Sequence, residues 1–119
     1  MWEIEFTDQF GEWWEGVGEE EQDLLDAAVE KLEIYGPALG RPLADTITGS
    51  KHPNMKELRP IGSYIRVFFA FDPRRAAILL IGGEKKRGRW KKFYEEMIPV
   101  ADALYEQHIE QLRREGALE

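Results

Sequence analysis

The pattern of apolar and polar positions begins with an alternating segment. In residues 2–6, Trp, Ile and Phe alternate with two glutamates, and this period of two predicts a strand with one buried face. Thr7 or Asp8 then offers an N-cap, and apolar residues recur at helical spacing from Phe10 to Val17. We therefore expect a strand followed directly by a short helix, which Gly16 and Gly18 end.

The next segment has the pattern of a second, longer helix. Glu19 to Glu21 suit the positive N-terminal end of a helix, and Leu24 to Leu32 carry one apolar stripe. Gly36-Pro37 stops the helix. Because the link between the two helices is short, we expect them to form an antiparallel hairpin.

The middle of the chain is typical of a β-meander. Residues 38–55 contain several Gly and Pro and are interpreted as a loop. Three strands are predicted after it, at Met55–Arg59, Tyr64–Asp72 and Ala76–Ile81, with turn residues between them. Successive strands joined by such short turns are expected to pair antiparallel.

The chain is predicted to finish with helical structure. A helix begins near Trp90 and runs into Met97, Pro99 is expected to break or restart it, and a terminal helix follows. The predicted order is β-α-α-β-β-β-α, which makes the fold class α+β. We expect one domain over residues 1–119, because no internal repeat or long linker divides the chain.

Charge is distributed very unevenly along the sequence. The net charge is −7, but residues 51–92 hold 12 basic and 3 acidic side chains, whereas residues 1–50 hold 2 basic and 13 acidic ones. Such a split indicates one segment suited to a polyanion within a protein that otherwise repels it. With 43% hydrophobic residues the chain can fold, and with no cysteine it has no disulfide, thiolate metal site or Cys nucleophile.

The densest positive segment lies between the last predicted strand and the last helix. Six of the eight residues from 85 to 92 are basic, and they surround one tryptophan. Cations neutralise phosphates and an exposed indole can stack on an unpaired base, so we interpret the segment as RNA-binding, with a solvated loop as the alternative. Its members are Lys85, Lys86, Arg87, Arg89, Trp90, Lys91 and Lys92.

Further candidates lie on the predicted strands and on the last helix. Lys56, which we predict to bind RNA, and Arg59 belong to the first meander strand, and Arg66 shares a face of the second with apolar residues. A charged residue there is either ion-paired or functional. Tyr94 lies one helical turn beyond Trp90 and can orient a reacting group, or it simply packs in the core.

Two carboxylates lie near these cations in the sequence. Glu57 and Glu84 can each act as a general base or balance the positive charge, and charge balance is the favoured interpretation. His52 and His108 are weaker candidates. No spacing typical of a metal site occurs, so we expect neither metal nor cofactor.

The sequence resembles the RelE/ParE superfamily of type II toxins, and within it the HigB-like, phage-derived branch. The segments that carry the resemblance are EFTDQFGEWW, GPALGRPLADTITGSKHPNMKELR, YIRVFFAFDPRRAAILLIGGEKK and the WKKFYEE region. They span almost the whole chain. The predicted element order also matches the small sheet and helical hairpin of that superfamily.

The resemblance implies a ribosome-dependent mRNA endonuclease that is neutralised by a cognate antitoxin, often one with a helix-turn-helix domain. By the same resemblance Arg59, Arg66, Lys85 and Tyr94 are the catalytic set. The loop departs from the family pattern because Lys86-Arg87-Gly88-Arg89 is unusually basic, which leaves open which loop cation acts.

Two other functions remain open at this stage. One is inhibition of DNA gyrase without nuclease activity, as in the ParE branch, and the other is a non-catalytic module that binds RNA or protein. The acidic N-terminus and the absence of a long apolar run lead us to expect a cytoplasmic protein that does not enter a membrane.

Overall fold

A computed structural model describes residues 1–118, which form one five-stranded mixed sheet with helices on both faces. The strands are β1 (Ile4–Phe6), β2 (Ala44–Thr46), β3 (Lys56–Leu58), β4 (Ile65–Phe71) and β5 (Ala77–Glu84). The helices are α1 (Asp8–Glu15), α2 (Glu19–Tyr35) and α3 (Trp90–Arg114), and a short 3₁₀ turn follows α2 at Gly36–Ala38. The predicted α+β class is confirmed.

The strands lie in the spatial order β1-β5-β4-β3-β2. The predicted antiparallel meander is confirmed as β3–β4–β5. The N-terminal strand pairs parallel with β5, with Ile4 opposite Ala77 and Phe6 opposite Leu79. That parallel pairing is possible because the helical hairpin and three strands separate β1 from β5 along the chain.

Two hydrophobic clusters pack on opposite faces of the sheet. One lies under α1 and α2 and contains Phe10, Leu25, Ala28, Leu32, Ala44, Leu58, Ile65, Val67, Phe69, Ala77 and Leu79. The other lies under α3 and contains Ile47, Met55, Phe68, Ala70, Ala76, Ile78, Leu80, Ala101 and Leu104. Alternate residues of β4 enter alternate clusters, as the period of two in a strand requires.

The first helix begins as its sequence predicts. Thr7 is the N-cap, and its hydroxyl accepts a hydrogen bond from the Phe10 amide at 3.0 Å. The same hydroxyl donates to the Leu80 carbonyl at 2.7 Å, which ties the start of α1 to β5. Trp13 and Trp14 are partly buried and pack against the cluster under α1 and α2.

Two elements differ from the sequence prediction. Ala44–Thr46 forms an edge strand within the predicted loop, because its backbone pairs with β3 although its three residues show no strand pattern. Pro99 does not break the last helix, which is continuous from Trp90 to Arg114. Pro99 is exposed, so water can bond the carbonyl that lacks its amide partner.

Gly82 and Gly83 extend β5 beyond its predicted end and admit large side chains on both faces. A Cβ added at Gly82 would overlap the Trp13 ring, and one added at Gly83 would lie 2.9 Å from the Phe93 ring. The two glycines therefore let α1 and α3 approach opposite faces of the same strand.

Within residues 1–118, no helix combines the length and the apolar character needed to cross a membrane.

Gly82→Ala is expected to lower the free energy of unfolding by about 1–3 kcal/mol, because the added methyl group displaces Trp13 from the packed core. Urea unfolding monitored by tryptophan fluorescence measures this change. Gly40→Ala is the matched control, since a Cβ there would meet nothing within 4 Å. Equal stability of the two variants would contradict the packing described.

Candidate functional site

A buried glutamate lies at the centre of the candidate site. Glu57 is in the middle of β3, and only 3% of its surface is exposed. Its register partner on β4 is Phe68, a member of the cluster under α3. Strand alternation therefore directs the carboxylate to the face that α3 covers.

Three groups from three other positions converge on the Glu57 carboxylate. The Tyr94 hydroxyl donates to it at 2.7 Å from one oxygen and 3.0 Å from the other. An Arg59 Nη2 lies 3.4 Å from one carboxylate oxygen, and Arg66 Nε lies 3.6 Å from the other. The buried charge is thereby compensated, as a buried carboxylate must be. This geometry corresponds to the charge-balance interpretation of Glu57.

The two arginines keep unused hydrogen-bonding capacity. Arg66 Nη1 donates to the backbone carbonyls of Ser63 at 3.1 Å and Ile65 at 2.8 Å, which fixes its guanidinium group. The Nε atoms of Arg59 and Arg66 are buried and have no hydrogen-bond partner among residues 1–118. Because both atoms are enclosed by protein, they add positive charge beside Glu57 and do not themselves form a contact surface.

Lys85 follows the two glycines and enters the same site from the end of β5. Its ammonium lies 5.3 Å from the centre of the Tyr94 ring and 5.9 Å from that of Trp90. Burial, together with the nearby Arg66 and Arg59 charges, lowers the pKa of Lys85 below its usual value. A larger share of Lys85 is therefore neutral near physiological pH than for an exposed lysine.

The pKa of Tyr94 is shifted in the opposite direction to that of Lys85. Burial and its hydrogen bond to Glu57 raise the pKa of Tyr94 to about 12. The phenol is consequently protonated at neutral pH and acts as a hydrogen-bond donor. It is a poor acceptor of a proton at that pH.

The convergent groups border an open hollow of about 820 Å³ between the sheet edge and α3. Arg59, Lys85, Trp90, Lys91 and Tyr94 line it among the predicted residues. Trp90 is 58% exposed there, so its ring is accessible for stacking. Arg66 reaches the hollow only through Glu57, because it is not one of the lining residues.

The other predicted cations are distributed differently. Lys86, Arg87, Arg89 and Lys92 are exposed, and of these Arg89 and Lys92 border a second, shallow depression with Glu95 and Glu96. Lys92 lies 3.7 Å from Glu96. These four surround the site rather than form it.

Lys56 lies on the other face of the sheet. It is paired in register with Phe69, whose side chain belongs to the cluster under the helical hairpin. Residues that face each other across an antiparallel pair share a side of the sheet. The structure therefore separates Lys56 from the catalytic set.

The sequence prediction assigned no role to one cation that lines the hollow. Lys51 lies in the connection between β2 and β3, and its backbone amide donates to the Asp102 carboxylate of α3 at 3.0 Å. The segment was interpreted as a loop, and only the start of the basic region at residue 51 hinted at a contribution.

The fold places the chain in a RelE-like class of small α+β proteins. The isolated E. coli RelE toxin superimposes with a TM-score of 0.62 at 12% identity, over 82% of this chain and 99% of that one. RelE in the RelE–RelB complex from Pyrococcus horikoshii gives 0.59 at 12% identity, over 73% and 98% of the two chains. Similarity at this identity shows the shared fold.

Sequence comparison gives a narrower assignment. A family model described as "Phage derived protein Gp49-like (DUF891)" matches residues 12–106. "Putative toxin HigB3" of Mycobacterium tuberculosis is 47% identical over 94 residues, which cover 79% of this chain and 82% of the relative. The chain belongs to the Gp49-like family, the HigB-type branch of the RelE superfamily of toxins.

A second relative from the same organism is longer than this chain. "Putative toxin HigB2" is 48% identical over 108 residues, which cover 88% of this chain. The chain spans about half of that relative, with 53% of its length matched.

The Tyr94 phenol is expected to ionise near pH 12 in the folded protein. Glu57→Gln should lower the pKa of Tyr94, but the pKa should stay above the ordinary value of 10.0 because the phenol is still buried. Because the folded-state pKa lies above the ordinary value of 10.0, the phenol stabilises the fold below about pH 10, and this contribution is lost as pH rises towards 12. Absorbance at alkaline pH, taken as the difference between each protein and its Tyr94→Phe counterpart, measures the ionisation.

Glu30→Gln, an exposed change on α2, is the matched control and should leave the Tyr94 pKa where it is. Ionisation of Tyr94 at the ordinary value in the parent protein would contradict the hydrogen bond to Glu57.

Proposed function

We propose that this chain is the toxin of a toxin–antitoxin system and acts as a ribosome-dependent endonuclease on mRNA. One observation carries the proposal: Arg59, Arg66 and Tyr94 contact the Glu57 carboxylate, and Lys85 lies against the Tyr94 ring at the border of an open hollow. The names of the two similar mycobacterial proteins support the toxin assignment.

The chemistry requires no group beyond those of RNA and the protein. The ribose 2′-hydroxyl attacks the adjacent phosphorus, the bond to the 5′-oxygen breaks, and that oxygen leaves as a hydroxyl after taking up a proton. The products are a 2′,3′-cyclic phosphate and a 5′-hydroxyl end. Aligning the nucleophile can contribute up to about 7–11 kcal/mol to lowering the barrier.

Arg59 and Arg66 are proposed to stabilise the charge that develops on the phosphate. Guanidinium groups stay charged, and Arg59, which lines the hollow, can contact two phosphate oxygens at once, whereas Arg66 contributes its charge from behind Glu57. A preorganised donor of this kind contributes roughly 2.7–4 kcal/mol to transition-state stabilisation. Glu57 positions the two arginines before substrate arrives.

Lys85 is proposed to accept the proton of the 2′-hydroxyl. Its lowered pKa increases the neutral fraction, and a neutral amine is a base. Tyr94, whose phenol stays protonated, is proposed to orient a reacting oxygen by donating a hydrogen bond. Trp90 and Lys91 line the same hollow and are suited to hold the neighbouring base and phosphate.

A protein antitoxin is the proposed partner. Solved RelE-fold proteins from E. coli, Pyrococcus horikoshii and Methanococcus jannaschii are described in complex with RelB antitoxins. The exposed cations of the loop and of the start of α3 suit an acidic segment of such a partner, namely Lys86, Arg87, Arg89 and Lys92. By family resemblance such a partner often carries a helix-turn-helix domain.

Expression of the chain in bacteria is expected to arrest growth, with new mRNA 5′ ends inside translated codons. Arg66→Ala combined with Lys85→Ala should abolish both effects, because the variant loses a phosphate clamp and the proton acceptor. Sequencing of mRNA 5′ ends after brief induction measures the cleavage.

Arg113→Ala combined with Arg114→Ala removes the same charge at the exposed end of α3 and should remain toxic. Circular dichroism of both double variants checks that each is folded. Growth arrest with DNA damage instead of mRNA cleavage would favour gyrase inhibition, and absence of any arrest would favour a binding module.

Lys85→Arg separates the proton-transfer role from the charge. Arginine keeps the positive charge but cannot become neutral, so kcat should fall by roughly 10²–10⁴ and lose its rise with pH. In the parent protein, kcat should rise with pH until the lowered pKa of Lys85 is passed. Single-turnover cleavage of ribosome-bound mRNA over a pH series measures both.

Lys91→Arg, a charge-conserving change at another lining residue, is the control and should keep the pH profile. An unchanged kcat in Lys85→Arg would assign Lys85 an electrostatic role only.

A further inference from the structure

The connection between β2 and β3 forms a wall of the hollow to which the proposed chemistry gives no role. Thr48, Gly49 and Lys51 of this connection line the hollow, as do Arg59 and Lys85 at the catalytic border. The wall thus carries a hydroxyl, a backbone without side chain and a cation. Each of these groups is of a kind that contacts phosphate oxygens.

A buried carboxylate fixes this wall to α3. Asp102 is 4% exposed and accepts hydrogen bonds from the Ser50 hydroxyl at 2.5 Å and from the Lys51 amide at 3.0 Å. The Ser50 hydroxyl also accepts from the His52 amide at 3.0 Å. The backbone that carries the Lys51 side chain is therefore anchored, although the side chain itself is exposed.

The Lys51 ammonium has no ion pair within residues 1–118. Lys92, in contrast, is paired with Glu96. An anchored cation that borders a cavity and has no carboxylate partner is available to an anion from outside.

Three carboxylates of α3 also line the hollow, and one of them is fully engaged in hydrogen bonds. Both Asp102 oxygens accept hydrogen bonds from the wall itself. Glu106 lies 3.4 Å from His52 Nε2. Glu95 is exposed and borders the shallow outer depression as well.

The spacing along α3 separates this wall from the catalytic centre. Tyr94 contacts Glu57, and Asp102 contacts Lys51, so the two points are eight residues apart on one helix. At 1.5 Å per residue this is about 12 Å. At the 3.4 Å per nucleotide of a stacked strand, that distance spans roughly three to four nucleotides, and fewer when the strand is unstacked.

We propose that Lys51, held in place by Asp102, forms a second phosphate subsite for the same RNA strand, a few nucleotides from the phosphate at Arg59 and Lys85. The inference rests on the proposed function for the identity of the strand. Asp102 is a positioning residue in this arrangement, because it acts only through the backbone of Lys51. The subsite would set the direction in which the strand crosses the hollow.

The test measures binding of a fluorescein-labelled 2′-O-methyl RNA octanucleotide, which cannot be cleaved because its nucleophile is blocked. Lys51→Ala should weaken binding about fivefold in about 0.1 M salt, and reduce the salt slope by about 0.7, the values for one lost contact on a single strand. Lys51→Arg should restore both quantities, and Asp102→Asn should reproduce part of the loss.

Lys31→Ala is the matched control, since it removes an exposed lysine of α2 on the opposite face of the sheet. It should leave the salt slope within the experimental error of the parent protein. Ser50→Ala is a milder alternative to Asp102→Asn should the latter fail to fold, and it should weaken binding less than Lys51→Ala.

A set of octanucleotides with one neutral methylphosphonate each locates the contact. In the parent protein, a methylphosphonate at one position away from the phosphate bound by Arg59 should weaken binding. In Lys51→Ala, the methylphosphonate at that position should have no effect on affinity. If every methylphosphonate weakens binding to Lys51→Ala as much as binding to the parent protein, the second subsite is refuted, even if mRNA cleavage is observed. Absence of mRNA cleavage together with Lys51-dependent binding would instead refute the nuclease and leave the subsite standing.

Discussion

The candidate site depends on one buried carboxylate and the groups that compensate it. Glu57 brings Arg59, Arg66 and Tyr94 to within hydrogen-bond or ion-pair distance, although they come from the end of a strand, the next strand and the last helix. Removing one partner of a buried ion pair costs about 3–5 kcal/mol, because a charge is left without compensation. The same carboxylate therefore contributes to the stability of the fold and holds two guanidinium groups beside the hollow. A substitution that changes the geometry of the site is for this reason expected to change the free energy of unfolding as well.

Local patterns were sufficient to predict most of the fold. The alternation in residues 2–6, the acidic start of α2 and the β-branched and aromatic content of Tyr64–Asp72 each act within a few residues, and each element was found. The edge strand Ala44–Thr46 was missed because its structure comes from pairing with β3 and not from its own residues. Pro99 was expected to interrupt α3, but packing of Ala101 and Leu104 against the sheet maintains the helix through it.

The sequence was sufficient to predict which types of residue form the site, but not on which face of the sheet each of them lies. Basic residues on predicted strands and loops are visible in the sequence itself. Three of them, Arg59, Arg66 and Lys85, lie together around Glu57 and Tyr94 in the structure. Which face a three-residue strand presents depends on register, and register placed Lys56 beside Phe69 on the other side of the sheet. Lys51 could not be recognised, because its anchoring by Asp102 joins residues 51 positions apart.

The two hydrophobic clusters on opposite faces share little beyond the backbone of the sheet. Mutations that accumulate beneath the helical hairpin can be accommodated there without rearranging the packing around α3. Packing beneath the helical hairpin can therefore change while the packing around α3, on the face where Glu57 lies, is maintained.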